Sequence, residues 1–158
     1  MKITIICVGK IKEKFFCDAV AEYVKRISRF SSVQIIEVKD EKIPENASEK
    51  ECELILEKEG GAILAKIPKG AYTAAMCIEA TELSSIAFSE KLESLKQKSS
   101  SIAFIIGGSL GLSPAVKAAA DMLISFGKIT LPHQLMRVVM LEQIYRAFKI
   151  SAGEAYHK

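Results

Sequence analysis

Apolar and polar positions along this chain follow two rhythms that alternate from end to end. Lys2 to Val8 is a nearly unbroken Ile/Val run closed by Gly9, the pattern of a strand buried on both faces. From Lys12 to Phe30 the rhythm changes. Phe16, Val20, Tyr23, Ile27 and Phe30 recur at spacings of four and three, one stripe of an amphipathic helix whose other face carries Lys14, Lys25, Arg26 and Arg29. Val33 to Val38 reads as a second strand and Lys39 to Ala47, with Pro44 and Asn46, as a loop. Ser48 followed three residues later by Glu51 matches a capping box, so a helix begins there and is expected to pass through Gly60-Gly61 to about Ile67. After the Pro68-Lys-Gly70 turn, Tyr72 to Ile78 is the third strand, and Ser84-Ser85 caps a helix that buries Phe88, Leu92 and Leu95. Ile102 to Ile106 is the fourth strand. Ser113-Pro114 starts a short helix through Asp121, and Met122 to Phe126 is the fifth strand. Pro132 stops it, and a helix from His133 to about Ile150 carries Val138, Leu141, Tyr145 and Phe148 on one stripe.

Strands alternate with helices, and each crossover is long enough for a parallel connection. The pattern predicts an α/β fold: a five-stranded, mostly parallel sheet with helices on both faces. No repeat, low-complexity tract or linker interrupts it, so residues 1–158 read as one domain.

Composition changes this picture little. The chain is 49% hydrophobic and 26% charged, ordinary for a globular protein that buries its own core. The longest apolar runs fall well short of the ~20 residues that cross a bilayer, and the N-terminal run lacks a small-residue cleavage site. A cytoplasmic protein with no membrane contact is expected. The four cysteines, Cys7, Cys17, Cys52 and Cys77, lack any CxxC or Cys/His spacing, which points to reduced thiols and no metal. Net charge is only +3, but it is unevenly placed. Residues 126–158 carry Lys128, Arg137, Arg146, Lys149 and Lys158 against Glu142 and Glu154, whereas residues 40–59 are strongly acidic. A polyanion, if bound, meets the C-terminal end; a solvated helix face is the plainer reading of the same charges.

In parallel sheets ligands lie at the carboxyl ends of the strands. The loops to inspect therefore follow Ile78, Ile106 and Phe126. Gly107-Gly-Ser-Leu-Gly111 brings bare backbone to that edge. It is neither a Walker loop nor a GxGxxG turn, but Gly107-x-Ser109-x-Gly111 does fit a nucleophile elbow. A serine hydrolase, with Asp121 and His133 or His157 as partners, is thus one competing reading. A non-catalytic RNA- or nucleotide-binding module is another.

Four segments together resemble the RlmH family: Phe104-Ile-Ile-Gly-Gly-Ser-Leu-Gly-Leu-Ser113, Leu131-Pro-His-Gln-Leu-Met-Arg137, Glu142-Gln-Ile-Tyr-Arg-Ala147 and Tyr156-His-Lys158. These are small SPOUT-class methyltransferases that modify N3 of a pseudouridine in helix 69 of bacterial 23S ribosomal RNA. The resemblance runs the length of the chain, although the family more often has leucine at position 76 and a larger residue at position 110. It implies a C-terminal trefoil knot, a homodimer built around the knotted face, and S-adenosyl-L-methionine among the three loops. Carried over position by position, the cofactor contacts are Met76, Gly107, Gly108, Phe126, Gly127, Lys128, Ile129, Thr130 and Leu131.

A sulfonium methyl donor needs no metal and no protein nucleophile. It needs an aligned attacking nitrogen and a dry, shaped pocket. The N3–H of pseudouridine must lose its proton, so a base is expected nearby. Under this resemblance His157 is the first candidate, with Tyr156 stacking on or hydrogen-bonding the nucleobase and Arg137 holding phosphate or offsetting charge on the uracil oxygens. His133, Arg146, Lys149 and Lys158 are the expected RNA-binding side chains. Glu142 and Arg146, four apart, also read as a plain intrahelical ion pair.

Overall fold

The computed structural model describes residues 1–157. Ten elements follow one another as β1 (Lys2–Val8), α1 (Lys14–Ile27), β2 (Ser32–Val38), α2 (Glu49–Leu64), β3 (Tyr72–Met76), α3 (Ser85–Lys98), β4 (Ser101–Ile106), α4 (Pro114–Ala119), β5 (Met122–Ile124) and α5 (His133–Ser151). The five strands form one sheet in the order β2-β1-β4-β3-β5, and every pairing is parallel. The expected "mostly parallel" sheet is therefore wholly so.

β1 and β4 lie inside the sheet and are buried along almost their whole length, which is why their sequences run apolar without alternation. Alternate residues feed two cores. Ile3, Ile5, Cys7 and Phe104 pack with α1, α3 and α5 on one face, while Ile6, Val8, Ala103 and Ile105 pack with Ile63 of α2 and Val116 of α4 on the other. All four cysteines are free, and burial pushes the Cys7 thiol up to about 12.

Helix starts follow the expected caps. Ser48 accepts from the Glu51 amide while the Glu51 carboxylate receives the Ser48 amide, a complete capping box, and Ser84 and Ser113 cap α3 and α4. The ends of β3 and β5 differ from expectation. β3 stops at Met76 and β5 at Ile124, because beyond them Cys77 donates to Ile124 O and Ser125 exchanges backbone bonds with Thr81 and Leu83. That irregular lacing replaces two more rungs of sheet and turns both chains into loops at the same edge. The apolar face of α5 also differs. Arg137, Met140, Leu141, Ile144, Ala147 and Phe148 are buried, while Val138 and Tyr145 are only half covered.

α2 does run through Gly60-Gly61, and the two glycines have different reasons to be there. A Cβ on Gly60 would lie 2.3 Å from Ser113 Oγ, whereas one on Gly61 would meet nothing within 4 Å. Gly60 thus lets α2 press against the cap of α4. Gly61→Ala is expected to raise stability by about 1 kcal/mol through helix propensity, and Gly60→Ala to lower it despite the same propensity gain; urea unfolding of the two variants checks both signs.

Candidate functional site

At the carboxyl ends of β3, β4 and β5 the three loops enclose a cleft of about 1130 Å³, the size of a generous small-molecule site. Each wall is main chain shaped by local sequence. In the loop after β4, Gly111 donates to Gly108 O at 3.0 Å and closes a tight turn, with Gly111 at φ 83°. A Cβ on Gly107 would stand 2.4 Å from Gly111 O, and one on Gly108 2.9 Å from Val8 Cγ1, so a side chain at 107 must move main chain and one at 108 must displace the buried Val8 side chain. In the loop after β5, Ser125 Oγ accepts from the Gly127 amide at 3.1 Å and donates to the Gly127 carbonyl at 2.9 Å. Gly127 takes φ 134°, and the Phe126 ring is set edge-on against Phe88 at 5.3 Å. The loop after β3 brings Met76 and Ile78 to the same space.

All nine positions expected to hold the cofactor line this one cleft. The residues fit S-adenosyl-L-methionine: bare glycine backbone where a ligand must come close, and apolar surface at Ile129, 79% exposed, and Ile78, 45% exposed, for a ligand or partner to cover. Several lining residues were not anticipated, among them Glu79 and Lys117, which form an ion pair between the loop after β3 and α4 at the cleft's wall. Glu79 does fall in the loop after Ile78 that the sequence marked for inspection, but its partner Lys117 lies 38 residues on, in α4, and no local signal joins the two.

The other expected residues separate into three places. His133, the first residue of α5, lines the cleft, with its Nε2 3.1 Å from where a Gly9 Cβ would be. Burial, and then the Arg137 guanidinium, hold its pKa below the ordinary 6.5. The unfolded chain therefore takes up this proton first as pH falls. Stability linked to His133 is full above 6.5 and is lost as pH drops through 6.5 toward the lower folded value. His133→Gln is expected to flatten the stability–pH curve between about pH 7 and pH 5, measured by thermal melts.

Arg137 requires a correction. It is 0% exposed. Its Nη1 donates to Glu37 Oε1 at 2.7 Å and its Nη2 donates to the carbonyls of Val8 and Gly9. The guanidinium therefore ties the start of α5 to the ends of β1 and β2; it is fully buried and does not line the cleft, so it reaches neither phosphate nor a nucleobase there, and its Nε is left without a hydrogen-bond partner among the described residues.

The tail occupies the third place. After α5 the chain turns back so that Tyr156 donates to Glu142 Oε1 at 3.3 Å, lies under the Arg146 guanidinium at 4.7 Å and meets the Tyr145 ring edge-on at 5.0 Å. Burial, with Tyr23 and Glu142 beside it, raises the Tyr156 phenol, which stays a hydrogen-bond donor. His157 is exposed, with Nδ1 3.4 Å from Arg146 Nη1. Glu142 and Arg146 do make the intrahelical pair, at 2.6 Å, and Lys149 pairs with Glu154. Val139 is the last residue of α5 to line the cleft, seven residues before Arg146 or about 10 Å at the helical rise. Tyr156 and His157, docked on Arg146, thus do not line the cleft of their own subunit. Lys158 lies outside the described residues.

The elbow reading fails on geometry. Ser109 is exposed at the cleft, but Asp121 Oδ2 accepts from the Thr73 amide at 2.7 Å, at the entry to β3 and the opposite end of the sheet. No serine–histidine–aspartate line can form between them.

Comparison with known proteins meets this geometry from outside. Residues 1–157 match the family described as "Predicted SPOUT methyltransferase". The chain is 56% identical over 159 residues to "Ribosomal RNA large subunit methyltransferase H" of Streptococcus uberis and 55% identical to the protein of that name from Lactobacillus acidophilus, covering 100% of both chains in each case. Its fold is similar to the crystal structure of tRNA (m1G37) methyltransferase from Aquifex aeolicus, with TM-score 0.50 and 14% identity over 92% of this chain and 70% of that one.

Proposed function

The chain belongs to the SPOUT methyltransferase family, and from that premise we propose that it is the enzyme that methylates N3 of a pseudouridine in helix 69 of 23S ribosomal RNA, using S-adenosyl-L-methionine. The observation that carries this reading is the convergence of three loops, two of them bearing bare glycine backbone, on one cleft, in a chain that aligns end to end with large-subunit ribosomal RNA methyltransferases. The cofactor, when bound, supplies a methyl group already activated for transfer. What the protein contributes is placement and dryness. The backbone at Gly107, Gly108 and Gly127 sets the position, while Met76, Ile129 and Leu131 offer apolar walls that exclude water.

N3 of the nucleobase must lose its proton as the N–C bond forms. His157 is the base in this reading, with Tyr156 hydrogen-bonding the uracil edge, since its phenol keeps its proton. Their distance from the cleft of their own subunit favours a homodimer in which each tail completes the partner's site. A half-covered apolar strip, Phe16, Val20 and Tyr23 of α1 beside Val138 and Tyr145 of α5, offers that dimer a surface. Arg146 and Lys149 then approach the partner's cleft with the tail, and His133 meets RNA from its own side. Arg137 is retained for architecture alone. A basic end of this size grips RNA weakly by itself, so the substrate is recognised by shape within the ribosome.

Incubation of the protein with S-adenosyl-L-methionine and ribosomes lacking the modification, followed by mass mapping of the 23S RNA, is expected to show one added methyl in helix 69. A methyl elsewhere, or none, sinks the assignment.

A further inference from the structure

The loop from β1 to α1 has no part in the site described so far, yet it is fastened to the mouth of the cleft. Gly9, at φ 82°, packs its bare Cα against the His133 ring. The Lys12 amide donates to Gln134 Oε1 at 3.4 Å and the Ile11 amide to Glu37 Oε1 at 3.1 Å, while Arg137 takes the Val8 and Gly9 carbonyls. The loop is thereby held to the first turn of α5, two of whose residues, His133 and Met136, line the cleft.

What this fixed loop displays is cationic and aromatic. Residues 9–15 contain three lysines and one glutamate. Lys10 and Lys12 are exposed, and among the described residues neither forms an ion pair, whereas Lys14 is held by Asp18. Phe15 is 65% exposed, with its ring 4.4 Å from Phe16. Across the cleft mouth the exposed Lys128 adds a further cation. Asp40 and Glu13 are the acids nearest this surface that bear on His133. Free ammonium groups beside an uncovered ring match a phosphodiester chain with an unpaired base, for ammonium holds phosphate without regard to sequence and any base stacks on a phenyl face.

Resting on the function proposed above, we infer that Lys10, Lys12 and Phe15 form the RNA-docking ledge of the subunit whose cleft is in use: the lysines take phosphates flanking the target nucleotide and Phe15 receives a neighbouring base. The target is then held from two sides, by this ledge and by the partner's tail.

The test uses the full-length protein and measures equilibrium binding to ribosomes by co-sedimentation over a range of salt, a readout that needs no methyl transfer. The Lys10→Gln/Lys12→Gln double variant is expected to bind about 10-fold more weakly and to have a log–log salt slope shallower by about 1.5, as two lost phosphate contacts require. Phe15→Ala is expected to weaken binding about 10-fold with an unchanged slope, and both variants should keep wild-type affinity for S-adenosyl-L-methionine. Wild-type binding and slope in the double variant overturn the inference. So does a shift of Phe15→Ala to monomer in sedimentation velocity, which assigns that ring to the subunit contact. Ribosomes lacking the modification that bind the wild-type protein normally but gain no methyl on mass mapping would instead count against the proposed reaction, with the ledge still standing.

Discussion

Mixing two inactive variants, Gly107→Val and a chain lacking Tyr156 to Lys158, is expected to restore about one quarter of wild-type methyl transfer after subunit exchange. Each variant alone should be dead for a different reason. A side chain at position 107 would put its Cβ 2.4 Å from the main-chain Gly111 O, so the turn must open. Displacement of that order at a positioning loop costs at least about 100-fold, and cofactor affinity falls with it. The truncated chain keeps the cleft, because among the described residues Tyr156 and His157 touch Glu142, Tyr145 and Arg146 on the far turns of α5 and Tyr23 of α1, none of which lines the cleft, so its cofactor affinity is unchanged. In the hybrid dimer an intact cleft faces an intact tail only if the tail works in trans. Random exchange makes half the dimers hybrid, each with one working site. No recovery above the sum of the parent variants would show that each tail serves its own subunit.

Arg137→Leu is expected to cost about 3–5 kcal/mol of folding stability, the usual result of removing one partner from a buried charge pair. The Val8 and Gly9 carbonyls lose the guanidinium donor, and Glu37 loses its cationic partner and keeps the Ile11 amide. For a chain of this size the melting temperature should fall by about 10 °C. Glu37 is itself 34% exposed at its side chain, so water relieves part of the loss, which favours the lower end of the range. Below the melting temperature, kcat should stay within a few-fold of wild type, since the guanidinium does not reach the cleft. A large fall in kcat with unchanged melting would return Arg137 to the reaction.

That arginine marks where the sequence was legible and where it was not. The β1 and β4 runs, the capping serines and the glycine loop carry their structural meaning within a few neighbouring residues, and each lies where its local pattern places it. The nine loop positions also meet as expected, because parallel strands deliver their carboxyl ends to one edge. Arg137 depends on Glu37, one hundred residues earlier, and on two carbonyls at the end of β1. One clue did lie in the chain: positions 137, 141, 144 and 148 recur at helical spacing, so the arginine stands on the buried stripe of α5. The ends of β3 and β5 were harder to see, since after Cys77 donates to Ile124 O the pairing passes to Ser125, which bonds with Thr81 and Leu83 in the loop beyond β3. The tail's docking on Arg146 has no local signal, as it joins residues that only a completed turn beyond Ser151 brings together. The same holds for the SPOUT fold's knot, which no propensity encodes.

The strand order carries a cost during synthesis. β1 leaves the ribosome first, yet its inner partner β4 begins at Ser101, so at bacterial elongation rates of roughly 5–20 residues per second the Ile-rich edge waits about 5–20 s to be covered. β2 can shield one side sooner, since it starts at Ser32. The other side stays open to adhesion with other chains, and closing it requires the strand pairing farthest apart in sequence, the slowest kind to form. A nascent-chain chaperone should therefore engage residues 2–8 until about residue 106 has emerged and release them afterwards.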